Sequence, residues 1–426
     1  MKYTTAALTL LSACLTSFAQ ASQQDFEAAP TIPAEQILSS YEMQTEYHSV
    51  GPEVKVKDYG YTFSLKTKQG EADIWSRDLL DERIRETIAI DALNEVSQTE
   101  AFTNALTQAL KNPVAGAWQV ATQPVSTVKK LPGRSYRYFK GTFFGVKKTS
   151  TQATETVNET VKKNTGKSDE PKEPIQQQAT QAASGASKEL LGFNKAKRAW
   201  AKKLNVNPYS DNPYLMETLD RVAWASSFGS LVVDVAVPSL GPLGYVNDVQ
   251  NIVWDTPSVE LELQNDERLK KAEIDKKVVH DFHTNPIYLL NEKTEIALAT
   301  EAFIGAEGLD QLIDITLAAE DRFDARMMVK VTRILNHYHH TQAPLKSIEI
   351  KRGMLAAYDQ NGALILPVAV EYLHWTSDVQ EAAEDESFAS ENRQLWVTGE
   401  LTEKTQEQLN KRGWKFVENS LQQLEE

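Results

Sequence analysis

Apolar and polar residues alternate through Val54, Val56, Tyr61, Phe63, Leu65, Ala72 and Ile74, the period of half-buried strands. Asp58-Tyr59-Gly60 and Lys68-Gln69-Gly70 supply turn residues between them, so a small antiparallel meander is expected. The period then lengthens. Leu80, Ile84 and Ile88 fall four apart behind Ser76, with Asp78, Asp81 and Glu82 near the positive end of the helix they predict. Ser97-Gln98-Thr99-Glu100 reads as a capping box opening a second helix, with Phe102, Leu106 and Leu110 inward and Pro113 as its stop.

Helical spacing returns later. Asn212 is expected to cap a helix with Pro213 at its first position and Leu215, Leu219, Val222 and Ala223 inward. The competing reading of Asn205 to Pro213 as a calcium loop has only Asp211 as a charged ligand, which is poor for calcium. Residues 291–342 read as two or three helices, the last of them burying Met328, Val331 and Leu335. The tail changes texture. Ser347 to Tyr358 and Ala363 to Trp375 read as strands around an Asp359-Gln360-Asn361-Gly362 turn, the second apolar enough to be central and covered. Asp378 to Asn392 reads as an acidic loop. Leu395 to Gly399, a helix capped by Thr402 and ended by Gly413, and Trp414 to Glu418 make a strand-helix-strand unit.

These patterns predict an α+β fold: a mainly helical middle with a small antiparallel or mixed sheet built from the N-terminal meander and the C-terminal strands. The expected segments are a signal peptide over 1–21, a flexible leader over 22–50, and meander plus helices over 51–148. A low-complexity linker over 149–187, a helical region over 188–345 and the hairpin with strand-helix-strand over 346–426 follow. At 426 residues the chain is long enough for more than one core.

Lys2, the apolar run Ala6 to Leu11 and Ala19-Gln20-Ala21 are the parts of an export signal cut after Ala21, which directs the chain to the periplasm or beyond. Leu11-Ser12-Ala13-Cys14 offers an alternative, a lipoprotein anchored at Cys14. No later segment is apolar enough to span a membrane; Ser226 to Val246 is interrupted by Asp234, Pro238 and Pro242.

Charge changes the picture most. The chain carries a formal net charge of −14, yet residues 101–204 hold 18 Lys and Arg against 6 Asp and Glu, a local net of +12. Ala101 to Thr154 contains no acid at all. Within it Lys129, Lys130, Arg134, Arg137, Lys140, Lys147 and Lys148 interleave with Tyr136, Tyr138, Phe143 and Phe144. Cations draw in an anionic surface while rings insert or stack on it. Lys195, Arg198 and Lys202 form a second basic segment. Against this stands the ordinary alternative, that the rings are core and the cations neighbour acidic helices.

Two histidine pairs, His280 with His283 and His337 with His340, have the i, i+3 spacing from which a divalent-metal site is built. The plain alternative is a protonatable side chain near the negative end of a helix. The chain carries no HExxH, P-loop or dinucleotide fingerprint and no closed nucleophile elbow. No catalytic residue and no cofactor is therefore assigned, and whether the protein is an enzyme stays open. The leading expectation is an exported, non-catalytic cell-envelope protein docking on an anionic lipid or envelope polymer through the basic aromatic surface, with no nucleic acid as partner. The alternatives are a divalent-metal-dependent hydrolase using the four histidines, and a periplasmic scaffold binding a protein partner through its C-terminal sheet.

Overall fold

The computed structural model describes residues 26–110, 186–228 and 248–421. The expected signal segment with Cys14 and the stretch from Lys129 to Lys148 lie outside the described residues, as does nearly all of the expected linker.

The fold is α+β. The meander forms as β3 (Glu53–Lys57), β4 (Gly60–Thr67) and β5 (Gly70–Trp75), all antiparallel. Gly60 is required there, because a Cβ would stand 2.6 Å from the Trp75 indole. The expected flexible leader is instead built into this sheet. Thr31–Pro33 (β1) pairs with β3 and His48–Val50 (β2) pairs with β4. Its apolar residues are too sparse for a period, but Ala34, Leu38 and Val50 are buried, and a short helix, α1 (Ser40–Met43), carries a Ser39 and Glu42 capping box.

Ser76 caps α2 (Arg77–Ser97), and its φ of 70° turns the chain sharply out of the sheet. Helix α2 runs to Ser97, so the cap of α3 (Glu100–Leu110) is Thr99, whose hydroxyl accepts from the Phe102 amide at 3.1 Å. Four helices follow: α4 (Ala186–Lys203), α5 (Pro213–Phe228), α6 (Asp248–Asp255) and α7 (Ser258–Lys271). After them come α8 (Lys276–Thr284), α9 (Leu290–Ala302), α10 (Leu309–Leu317) and α11 (Arg322–Thr341). Asn212 does cap α5, its side-chain oxygen accepting from the Tyr214 amide at 3.1 Å.

The C-terminal strands build a sheet of their own, not an extension of the first. Its order is β12-β10-β8-β7-β6, with β6 (Leu345–Lys351), β7 (Met354–Asp359) and β8 (Leu364–Val368) antiparallel. β10 (Arg393–Val397) and β12 (Trp414–Val417) run parallel to β8. The expected single strand from Ser347 to Tyr358 is two strands, turned at Arg352-Gly353 with φ of 52° and 75°. The expected acidic loop holds α12 (Ser377–Glu384), capped by Thr376 and burying Val379, Ala382 and Ala383. Helix α13 (Glu403–Lys411) connects a small parallel pair, β9 (Tyr372–Leu373) with β11 (Glu400–Leu401), to β12.

The pleat divides the core. Leu355, Ala357 and Ile365 face α11 and its neighbouring helices, while Met354, Ala356, Leu364 and Leu366 face α12 and α13. The first half of α2 packs on the N-terminal sheet through Leu80, Ile84 and Ile88, and its second half joins α3 to α6 around Trp200 and Trp254. Glu371 ties the two sheets together. Its carboxylate accepts from the Tyr61 amide at 2.8 Å and the Arg77 amide at 2.7 Å, so it also sits at the positive end of α2.

Candidate functional site

Two helices carry complementary stripes. On α2, Asp78, Glu82 and Glu86 recur every four residues and therefore share a face. On α11, Arg322, Arg326, Lys330 and Arg333 recur at spacings of four, four and three and likewise share a face, while Met328, Val331 and Leu335 point the other way into the core. Lys330 reaches Asp78 at 2.9 Å and Arg326 reaches Glu82 at 2.7 Å. Helix α9 adds Glu292, held by Arg322 at 2.8 Å, and Glu295, held by Arg333 at 2.8 Å.

Between these helices, α6 and the Asn205–Pro208 loop lies a cavity of about 210 Å³. Five carboxylates line it, Asp78, Glu82, Glu86, Glu292 and Glu295, with four cations, Arg85, Arg326, Lys330 and Arg333. The rest of the lining is largely amide and aliphatic. Asn207 donates to Asn291 at 2.8 Å and Gln250 to Asn205 at 3.1 Å, beside Val206, Val249 and Val253.

The seam is closed behind the cavity by Asp211, which meets Arg83, Arg322 at 3.0 Å and Arg326 at 3.7 Å. Burial disfavours its charge, but the three guanidiniums outweigh burial and hold the carboxyl well below the usual range. Glu82 behaves alike: Arg326 and Arg83 overcome its burial and keep it ionised. Glu86 is pushed up by burial despite Arg83, Ser210 and Asn212 on its oxygens. Each lining carboxylate has a cation partner: Asp78 with Lys330, Glu82 with Arg326, Glu86 with Arg83, Glu292 with Arg322 and Glu295 with Arg333. Arg85 takes part in none of these pairs.

The residues singled out in the sequence lie elsewhere. Lys195 is exposed on α4. Arg198 donates to the Trp254 carbonyl at 3.2 Å, and Lys202 pairs with Asp255 at 2.7 Å, so two of these three cations also make contacts within the fold. His280 is exposed on α8 and His283 is half-buried, with neither ring nitrogen hydrogen-bonded. His337 is buried on α11, both nitrogens likewise without a partner, its ring 6.2 Å from Trp396. His340 is exposed beside His339 at 5.2 Å. Among the described residues no group of three or more His, Cys, Asp or Glu side chains stands where it could hold a metal ion. Nor is any described helix long and apolar enough to cross a membrane.

The cavity was missed in the sequence because its two walls are far apart in the chain. The available signal was the pair of opposite-sign stripes at i, i+4 on two helices, which singly read as solvated faces. No protein-family model matches the chain, and no match is found among curated proteins or solved structures.

Proposed function

We propose that the protein is a non-catalytic binding protein that takes a small polar solute into the cavity between α2, α6, α9 and α11. The observation that carries this reading is a cavity of about 210 Å³ walled by oriented, mutually compensating charges. Preorganised pairs of that kind recognise a solute through the N–H groups and lone pairs that the pairs leave over. They suit recognition better than proton transfer. A general acid or base needs a carboxyl poised near neutral pH and free to reach the solute, whereas Glu82 is held ionised by arginine, and Glu86, raised by burial, has its oxygens taken by Arg83, Ser210 and Asn212. Calorimetry on purified protein with a panel of amino acids, dicarboxylates, polyamines and sugars tests the reading. Binding of a panel member that disappears in Val249→Trp, at unchanged melting temperature, supports it. Silence across the panel would sink it.

A second reading keeps the cell-envelope docking surface, supported by the charge segregation of the sequence. With +12 in residues 101–204, the other residues carry −26, so a basic segment is set on an acidic body. Export, by the signal cut after Ala21 or the lipid at Cys14, belongs to this proposal. Sedimentation with anionic and neutral vesicles checks it. Salt-sensitive binding to anionic vesicles, lost when Arg134, Arg137, Lys147 and Lys148 are reversed in charge, is the expected outcome. Equal binding by the reversed, folded variant would remove the reading.

A further inference from the structure

The charge balance of the cavity narrows the class of solute. Five carboxylates face four cations across it, and most of them are already joined in pairs. A solute with net negative charge enters against the carboxylates, and one with net positive charge against the guanidiniums. A solute whose charges of one sign exceed the anchors open to them leaves the excess uncompensated in a partly desolvated space. A neutral molecule with separated charges avoids both costs.

The anchors for such a molecule are present. Arg85 lines the cavity outside the ion pairs, on the same helix as the acidic stripe, and its guanidinium fork matches a carboxylate bidentately. Asp78 is paired through a single short contact with Lys330 and is 56% exposed, which leaves acceptor oxygen open to an ammonium group. The lining also carries side-chain amides, Asn205, Asn207, Gln250 and Asn291, which have the donors and acceptors that a peptide group needs. Asn207 and Asn291 are already hydrogen-bonded to each other, so their geometry is set in advance. The size agrees: a cavity of about 210 Å³ has room for a small solute on the scale of a dipeptide.

We infer that the cavity binds an amino-acid-like zwitterion of dipeptide size, its carboxylate on Arg85 and its ammonium on the Asp78 side. This rests on the cavity reading above and adds the charge pattern of the ligand.

Calorimetry of the full chain with four probes tests it: L-alanyl-L-alanine, its N-acetyl form, its C-terminal amide, and glucose. The free dipeptide is expected to bind at least about tenfold more tightly than either blocked form, since each block removes one charge-assisted contact. In Arg85→Gln the free and N-acetyl forms should lose affinity together, while the amide is unaffected; Val249→Trp should abolish all binding. Blocked forms that bind as well as the free dipeptide would overturn the zwitterion inference and leave the cavity reading standing. So would binding of glucose alone that Val249→Trp removes. Silence from all four probes overturns the zwitterion inference and leaves the cavity reading to the panel above, whereas a dipeptide that binds equally to wild type and Val249→Trp overturns both.

Discussion

Helix α11 has two sides, and they are built from different physics. One side sets Met328, Val331, Leu335 and Tyr338 against the C-terminal sheet, in a core shared with Ile348, Leu355 and Trp396. The other presents Arg322, Arg326, Lys330 and Arg333 to carboxylates of α2, α9 and the loop before α5. The apolar side stabilises in proportion to the area it removes from water and tolerates small shifts. The ionic side adds little net stability, because desolvating the charges costs much of what their attraction returns. What it supplies is orientation. Breaking one pair leaves a buried charge exposed to nothing, so the helices are held in one register and a polar cavity stays open between them.

The largest effect should come from the centre of the ionic side. Asp211→Ala leaves Arg83, Arg322 and Arg326 without their shared carboxylate and should cost about 4 kcal/mol in urea unfolding. Leu335→Ala on the apolar side should cost about 3 kcal/mol by the same measurement, through lost transfer and a residual void. A loss under 1 kcal/mol for Asp211→Ala would mean that water reaches the seam and the two sides do not differ as argued.

Asp81 sharpens the contrast, as a half-buried carboxyl on α2 outside the ion-paired seam. Burial first, then Glu42, raises its pKa to about 7, and one of its oxygens has no hydrogen-bond partner. The folded state therefore holds a proton that the unfolded chain has released, so stability falls as pH rises from about 4 to about 7. Asp81→Asn should remove that slope and gain about 2 kcal/mol at pH 8 in denaturant titrations, after allowance for screening.

His337 gives the opposite slope on the apolar side. Burial lowers its pKa below the ordinary 6.5 and neither ring nitrogen is bonded, so the unfolded state takes up a proton first on acidification. Stability should fall as pH drops below 6.5, and His337→Phe should flatten that fall in thermal melts at pH 7.5 and 5.0. The smallest effect belongs to the surface. Lys202 and Asp255 are 47% and 62% exposed, and Lys202→Ala should change unfolding by about 0.5 kcal/mol or less.

How much of this was legible depends on the range of the signal. The meander was readable because Phe63 and Leu65 alternate with polar neighbours, and the α5 start because Asn212-Pro213 is a local capping device. The turn at Arg352-Gly353 escaped because the apolar run continues across it, and α12 because three small buried residues make a faint stripe among acids. The four histidines had suggestive spacing. Their nitrogens, unbonded in His283 and His337, become visible only once the packing around them is known.

By itself the sequence determined what is encoded within a few residues: the α+β class, most strand and helix positions, the caps, and the segregation of charge along the chain. Tertiary structure alone decided that the two groups of strands form separate sheets, and that a charged cavity lies between α2, α6, α9 and α11. Arg83 and Asp211 are 128 positions apart, and Arg326 and Glu82 are 244 apart. A stripe of like charge on one helix reads as a solvated face until the helix of opposite sign is packed against it. Only folding brings the two together, because electrostatic pairing acts over ångströms in space and keeps no record of distance along the chain.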